Sequence, residues 1–184
     1  MYYDVIMAGF GGQGIQIISQ MVAVAAIRKG LNLSYLPSYG VEKRGGRTNV
    51  TLVISDDEIG SMVTDRPLSV IAMDTIALEK YQEQVAPGGL LIVNTSLVPE
   101  GLAARTDIDT LRLKCNEEAI ALGSAKLANM IALGSFIQRS RILDFEDIKS
   151  VMGEVIPERL KKTIANNLKA VQRGMELAGE GAAR

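Results

Sequence analysis

Apolar residues in this chain fall in short runs broken by glycine, proline and charge, and two spacings recur. The first run, Val5 to Ala8, is short and lies in a strand read over residues 3–8. It leads into Gly9, Gly11, Gly12 and Gly14, and a long apolar segment, 15–28, follows at once. There Ile15, Ile18, Met21, Val22 and Ala25 recur at steps of three and four, the period of a helix face, while Ile17, Val24 and Ile27 lie on its other sides. A helix apolar over most of its circumference is covered on more than one side, by a sheet and a second layer or by a partner protein. Arg28-Lys29-Gly30 ends it, with cations near the negative end of the dipole and glycine at the C′ position.

Residues 33–36 read as a second strand. Residues 48–54 read as a third, in which Val50, Leu52 and Ile54 alternate with Asn49 and Thr51. Between them, Pro37-Ser38-Tyr39-Gly40-Val41-Glu42-Lys43-Arg44-Gly45-Gly46-Arg47 has the composition of a loop at a strand end, where open α/β sheets carry functional loops. Ser55-Asp56-Asp57 is turn chemistry, and residues 58–64 are expected to return as a hairpin partner, which makes the sheet mixed. A strand at 68–73, a helix at 75–85, the turn Pro87-Gly88-Gly89 and a strand at 90–93 compose a βαβ unit. A strand at 111–115 and helices at 117–122 and 126–138 follow. Asp144 caps another helix, and Pro157 opens the last, whose apolar stripe is Leu160, Ile164, Leu168, Val171 and Met175. The expected fold is α/β, a three-layer α/β/α Rossmann-like domain with a mixed, mainly parallel sheet. It is a single domain over residues 1–178, with 179–184 as a flexible C-terminal tail.

Composition narrows the function. The 184 residues carry a net charge of −1, which argues against a nucleic-acid footprint, and aromatics at 4% argue against base-stacking platforms. The chain has no histidine, so it lacks the commonest general base and metal ligand. Its one cysteine, Cys115, cannot alone hold an iron–sulfur cluster or a structural zinc, and fits a cytoplasmic setting. The longest clean apolar run, 21–27, is far short of a membrane span, and the N-terminus lacks the pattern of a secretion signal.

Residues 9–14 satisfy G-x-G-x-x-G between a strand and a helix, the context of a dinucleotide fingerprint. The acid expected after the second strand is missing near Leu36-Pro37-Ser38; the nearest is Glu42, inside the glycine-rich loop. Three alternatives stand for this turn: a nucleotide site, a transient phosphate or carboxylate site, or a tight turn that lets another chain pack closely. Lys43, Arg44 and Arg47 around Gly45-Gly46 suit a phosphate or carboxylate, or an interface approached closely by another backbone; the interface is favoured. Asp74 is a functional candidate or a helix cap. Cys115 is read as a small core residue of a strand, since no histidine exists to activate it.

Gly9-Phe10-Gly11-Gly12-Gln13-Gly14, followed after one helix and one strand by Tyr39-Gly40-Val41-Glu42-Lys43-Arg44-Gly45-Gly46, closely resembles the gamma subunit or domain of the 2-oxoacid:ferredoxin (acceptor) oxidoreductases. Asp74 with Thr75-Ile76-Ala77-Leu78, Gly88-Gly89 before a strand, and Asn129 with Leu133-Gly134 also match family positions. The resemblance implies a subunit of an enzyme that oxidatively decarboxylates a 2-oxoacid to acyl-coenzyme A and passes electrons to ferredoxin. It implies alpha and beta catalytic subunits as partners, with a ferredoxin-like delta subunit as a further candidate, and neither nucleic acid nor membrane. Thiamine diphosphate, magnesium and iron–sulfur clusters would sit on those partners, and coenzyme A would be the co-substrate; this chain would carry no redox centre and no catalytic residue. The separate short chain and the Ser38-Tyr39-Gly40 form are most similar to the 2-oxoglutarate type. The expected ligand- or interface-binding residues are Gly9, Gly11, Gly12, Gln13, Gly14, Tyr39, Glu42, Arg44, Gly45 and Gly46. The alternative is a free-standing nucleotide-binding Rossmann-like protein.

Overall fold

The computed structural model describes residues 1–40 and 46–180. Among them, six strands form one sheet in the order β2-β3-β1-β4-β5-β6: β1 Tyr2–Phe10, β2 Asn32–Tyr39, β3 Arg47–Ser55, β4 Ser69–Ala72, β5 Leu90–Asn94 and β6 Asp109–Leu113. β1, β4, β5 and β6 pair in parallel, whereas β3 runs antiparallel to both β1 and β2. The sheet is mixed and mainly parallel, as expected, but a different hairpin makes it so. Residues 58–64 form no strand: Ile59, Met62 and Val63 do not alternate, and Met62 and Val63 stand exposed. The hairpin is β2–β3, and it takes Pro37, Ser38 and Tyr39 into β2 and Arg47 into β3. Pro37 is tolerated because β2 is an edge strand.

The helices are α1 Ile15–Arg28, α2 Thr75–Tyr81, α3 Cys115–Ala121, α4 Ala128–Ser140, α5 Phe145–Val155 and α6 Ile164–Glu180. Asp74 caps α2, its carboxylate accepting the Ala77 N–H at 2.8 Å, and the expected helix over 75–85 tightens after Tyr81 into a 3-10 turn. Asp144 and Asp147 form a reciprocal capping box at α5. Two expectations are corrected at element ends. Cys115 opens α3 instead of ending a strand, because its N–H is taken by the buried Asn94 Oδ1 at 3.2 Å. Pro157 opens a 3-10 turn, Glu158–Thr163, before α6 begins. Gly179 and Glu180 belong to α6, and residues 181–184 lie outside the described residues.

The two faces of the sheet are unequally covered. Val5 and Met7 of β1, Val50, Leu52 and Ile54 of β3, and Ile71 and Ile92 of β4 and β5 join a core with α1, α3, α4, α5 and α6. The opposite face pairs Ile6, Ala8, Val70, Ala72, Leu91 and Val93 with α2 and with Val98 and Ala103 of the loop after β5. α1 and α4 lie on the sheet, and α5 and α6 pack over them as an outer layer. This outer layer explains why α1 is apolar on most sides. α4 and α6 meet backbone to backbone. A Cβ at Gly134 would stand 1.9 Å from the Val171 carbonyl oxygen, and one at Gly174 would stand 2.0 Å from that of Ile131.

Candidate functional site

The turn between β1 and α1 is stitched by one side chain. Gln13 Oε1 accepts the Phe10 N–H at 2.9 Å, and its Nε2 donates to the Met73 carbonyl at 3.1 Å, tying the turn to the end of β4. The amide occupies the space a Cβ on Gly9 would need, 2.2 Å away. Gly14 begins α1 in the left-handed region, at φ 76°, and its carbonyl accepts Asn129 Nδ2 from α4 at 3.3 Å. That amide would lie 2.3 Å from any Cβ on Gly14. Gly12, at φ 100°, has nothing within 4 Å of a built Cβ. Its glycine is required by backbone conformation alone, and its outer side is open.

The two glycine motifs are joined. Gly11 N–H donates to the Gly46 carbonyl at 2.8 Å, and Gly40 N–H donates to the Arg47 carbonyl at 2.7 Å. Phe10 and Arg47 face each other in the β1–β3 register. Among the expected site residues, the structure thus brings Gly9, Gly11, Gly12, Gln13, Gly14 and Gly46 onto one edge. Tyr39 stands exposed at the end of β2, paired with Thr48. Glu42, Arg44 and Gly45 lie outside the described residues, as do Val41 and Lys43.

This geometry weighs against a dinucleotide in the usual Rossmann mode. There, the acid that holds the ribose sits at the end of a strand beside β1. Here β3 stands between β1 and β2, so the end of β2 is displaced by two strand spacings, roughly 9–10 Å. The second glycine normally lets the pyrophosphate approach the backbone, but the Gly11 N–H is already taken by Gly46.

Two concavities flank the turn. On the α2 face, a cavity of about 480 Å³ is lined by Ala8 and Phe10 of β1, Arg47 and Asn49 of β3, Asp74, and Ile76, Lys80 and Tyr81 of α2, together with Leu97. On the other side, one of about 400 Å³ lies between Gly12-Gln13-Gly14, the start of α4, and the segment leading into α6. It carries Lys126 and Arg159 among carboxamides from Asn129, Asn166 and Asn167. Arg47 was legible as a loop cation and Asn129 as a motif position. Ile76 was legible only as part of a motif stretch, and Lys80 and Leu97 carried no signal of their own, because only the folded register places them at this cavity.

Cys115 is fully buried, and burial pushes its thiol up to about 12, so it is not a nucleophile. Among the described residues, no group of three or more His, Cys, Asp or Glu side chains is placed to hold a metal ion. With one cysteine in the whole sequence, this chain's residues do not fit an iron–sulfur cluster of their own. No described helix is long and apolar enough to cross a membrane.

The family model for pyruvate ferredoxin/flavodoxin oxidoreductase matches residues 4–177. The chain belongs to this family. It is 31% identical to the 2-oxoglutarate synthase subunit KorC of Methanothermobacter thermautotrophicus, over 97% of this chain and 96% of that one. It is also 31% identical to the ketoisovalerate oxidoreductase subunit VorA of the same organism, over 95% of this chain but only 36% of that longer one. The chain therefore spans about a third of the second relative and nearly all of the first. Among solved structures, the keto/oxoacid ferredoxin oxidoreductase gamma subunit of Geobacter sulfurreducens superposes with a TM-score of 0.78 and 27% identity, covering 97% of this chain and 99% of that one. Within its family, the chain has the length and fold of a gamma subunit.

Proposed function

We propose that this chain is the gamma subunit of a multi-subunit 2-oxoacid:ferredoxin oxidoreductase, with 2-oxoglutarate as the oxoacid. Residues 1–178 act as one domain, in which the Gly11–Gly46 junction faces the alpha and beta subunits. There it shapes the approach of coenzyme A or the acyl intermediate. Thiamine diphosphate, magnesium and the iron–sulfur clusters reside on the partner chains, a ferredoxin-like delta subunit among them, in a cytoplasmic complex. In this assignment Gly9, Gly11, Gly12, Gln13, Gly14 and Gly46 form the binding edge, with Tyr39 at its margin; Glu42, Arg44 and Gly45, which lie outside the described residues, are assigned to the same set by the motif.

The observation that carries the proposal is the end-to-end match to a 2-oxoglutarate synthase subunit. The hydrogen-bonded union of the two glycine motifs supports the location of the edge. Identity alone does not separate 2-oxoglutarate from ketoisovalerate, since both relatives stand at 31%; the recurrence of 2-oxoglutarate synthase subunits among the relatives supports 2-oxoglutarate. Co-purification from the native source is the test. Two larger chains should accompany this one, and the complex should reduce a viologen dye with 2-oxoglutarate and coenzyme A. Recovery of the chain alone, with 2-oxoacid oxidation intact in its absence, would sink the proposal. Calorimetry of the isolated chain with NAD(H), NADP(H) and FAD addresses the free-standing alternative, which tight binding would favour.

A further inference from the structure

We infer that the cavity on the α2 face is a socket for an acidic, apolar-flanked segment of a catalytic partner chain. This rests on the assignment of the chain to a multi-subunit oxidoreductase and adds a contact that the glycine edge alone does not require.

Charge is the first argument. Arg47 and Lys80 both line the cavity, both are exposed, and neither is paired with a carboxylate among the described residues. Lys80 Nζ instead lies over the Tyr81 ring, 4.7 Å from its centroid, which holds the ammonium at the cavity wall. The one carboxylate lining the cavity, Asp74, accepts the Ala77 N–H and is engaged as a helix cap. Among the described residues the lining thus carries two cations against one helix-capping carboxylate, a net positive charge complementary to a carboxylate brought from outside.

The apolar rim is the second argument. Phe10, Ile76 and Leu97 are 41%, 47% and 40% exposed although all three line the cavity. Large apolar side chains around a charged centre match the anatomy of a protein contact, where such groups exclude water from a central polar pair. A small free carboxylate would bury little of them.

Continuity is the third. Phe10 precedes Gly11 and Arg47 follows Gly46, and the two residues pair in register, so the socket begins where the glycine junction ends. A partner chain laid across that junction reaches the cavity without leaving the surface. In the ketoisovalerate relative, the matched region is about a third of a longer chain, so a domain of this kind does occur fused to further chain.

The experiment uses the complex assembled from co-expressed subunits. The only native cysteine is buried, so Ile76→Cys supplies a single reactive thiol at the rim. It should label with maleimide in the free chain and be protected at least about tenfold in the complex. A photo-crosslinking residue at Leu97 should capture a peptide of a catalytic subunit that contains Asp or Glu. Arg47→Glu with Lys80→Glu should weaken assembly at least about tenfold at physiological salt, while Lys169→Glu, on the exposed outer side of α6, leaves it unchanged. Full labelling of the Ile76→Cys variant in an intact complex overturns the socket and leaves the gamma assignment standing. Failure to recover any complex overturns both. Saturable binding of 2-oxoglutarate or pyrophosphate to the isolated chain, abolished by the double charge reversal, makes the cavity a small-anion site and overturns the socket.

Discussion

Two groups of glycines in this chain meet opposite surroundings. At the α4–α6 crossing, Gly134 and Gly174 are closed in by the backbone of the facing helix, at 1.9 and 2.0 Å from a built Cβ. Everything that demands glycine there lies inside the chain. At the β1–α1 turn the demand is divided. Gly9 and Gly14 are explained from within, by the amides of Gln13 and Asn129, whereas Gly12 meets nothing within 4 Å and faces outward. Gly11 is joined to the second motif through Gly46. A glycine motif that reads as one unit is therefore part internal packing and part open edge. Only the open part is available to other chains.

Substitutions break this comparison in order of size. Gly134→Ala should cost about 3 kcal/mol, because a helix backbone cannot yield as a side chain can. A urea titration of the isolated chain reads it, and a loss under about 1 kcal/mol, the low end for overpacking, would mean that the helices separate easily. Gly14→Ala should cost about 2 kcal/mol, from left-handed strain together with displacement of the Asn129 amide. Pairing it with Asn129→Ala should recover the steric part and leave the conformational part, which a double-mutant cycle separates. Gly12→Ala should cost only about 1 kcal/mol in the free chain. Its larger effect should appear as reduced assembly or turnover of the complex, since nothing internal fills that space.

The smallest expected effect concerns a residue placed by the core alone. The Cys115 thiol is raised to about 12 by burial, against 9.0 when unperturbed. The unfolded chain thus releases its proton first. The stabilising contribution is full below about pH 9 and is lost as pH rises toward 12. Cys115→Ala should flatten the alkaline fall of stability over that window, and Ellman's reagent should react with the native protein only on unfolding. Rapid reaction in the folded state would contradict the burial.

Most of the architecture was legible in the apolar pattern. α1 has the bounds that its three-and-four spacing predicts, and β5 differs from expectation by one residue. Asp74 and Asp144 cap the helices they precede. The hairpin was misplaced because glycine and charge at 37–47 signal a loop, while strand pairing on either side of that loop is a tertiary fact. The strand order, which separates β2 from β1 and so weighs against the dinucleotide fingerprint, left no local mark. At the site, the residue types were visible and their neighbours were not. Gln13 is named by the motif, but its reach to Met73, 60 residues away, belongs to the fold. Lys80 looks like an ordinary position of a short helix until β1 and β3 are set beside it.

Hydrogen exchange at the amides of residues 10–14, compared between the free chain and the assembled complex, tests most directly whether the glycine edge is the face that meets the catalytic subunits. The amides of Gly12 and the start of α1 should slow markedly on assembly, while those of the outer helices α5 and α6 change little. Unchanged exchange at 10–14, with protection concentrated on α5 or α6, would contradict it.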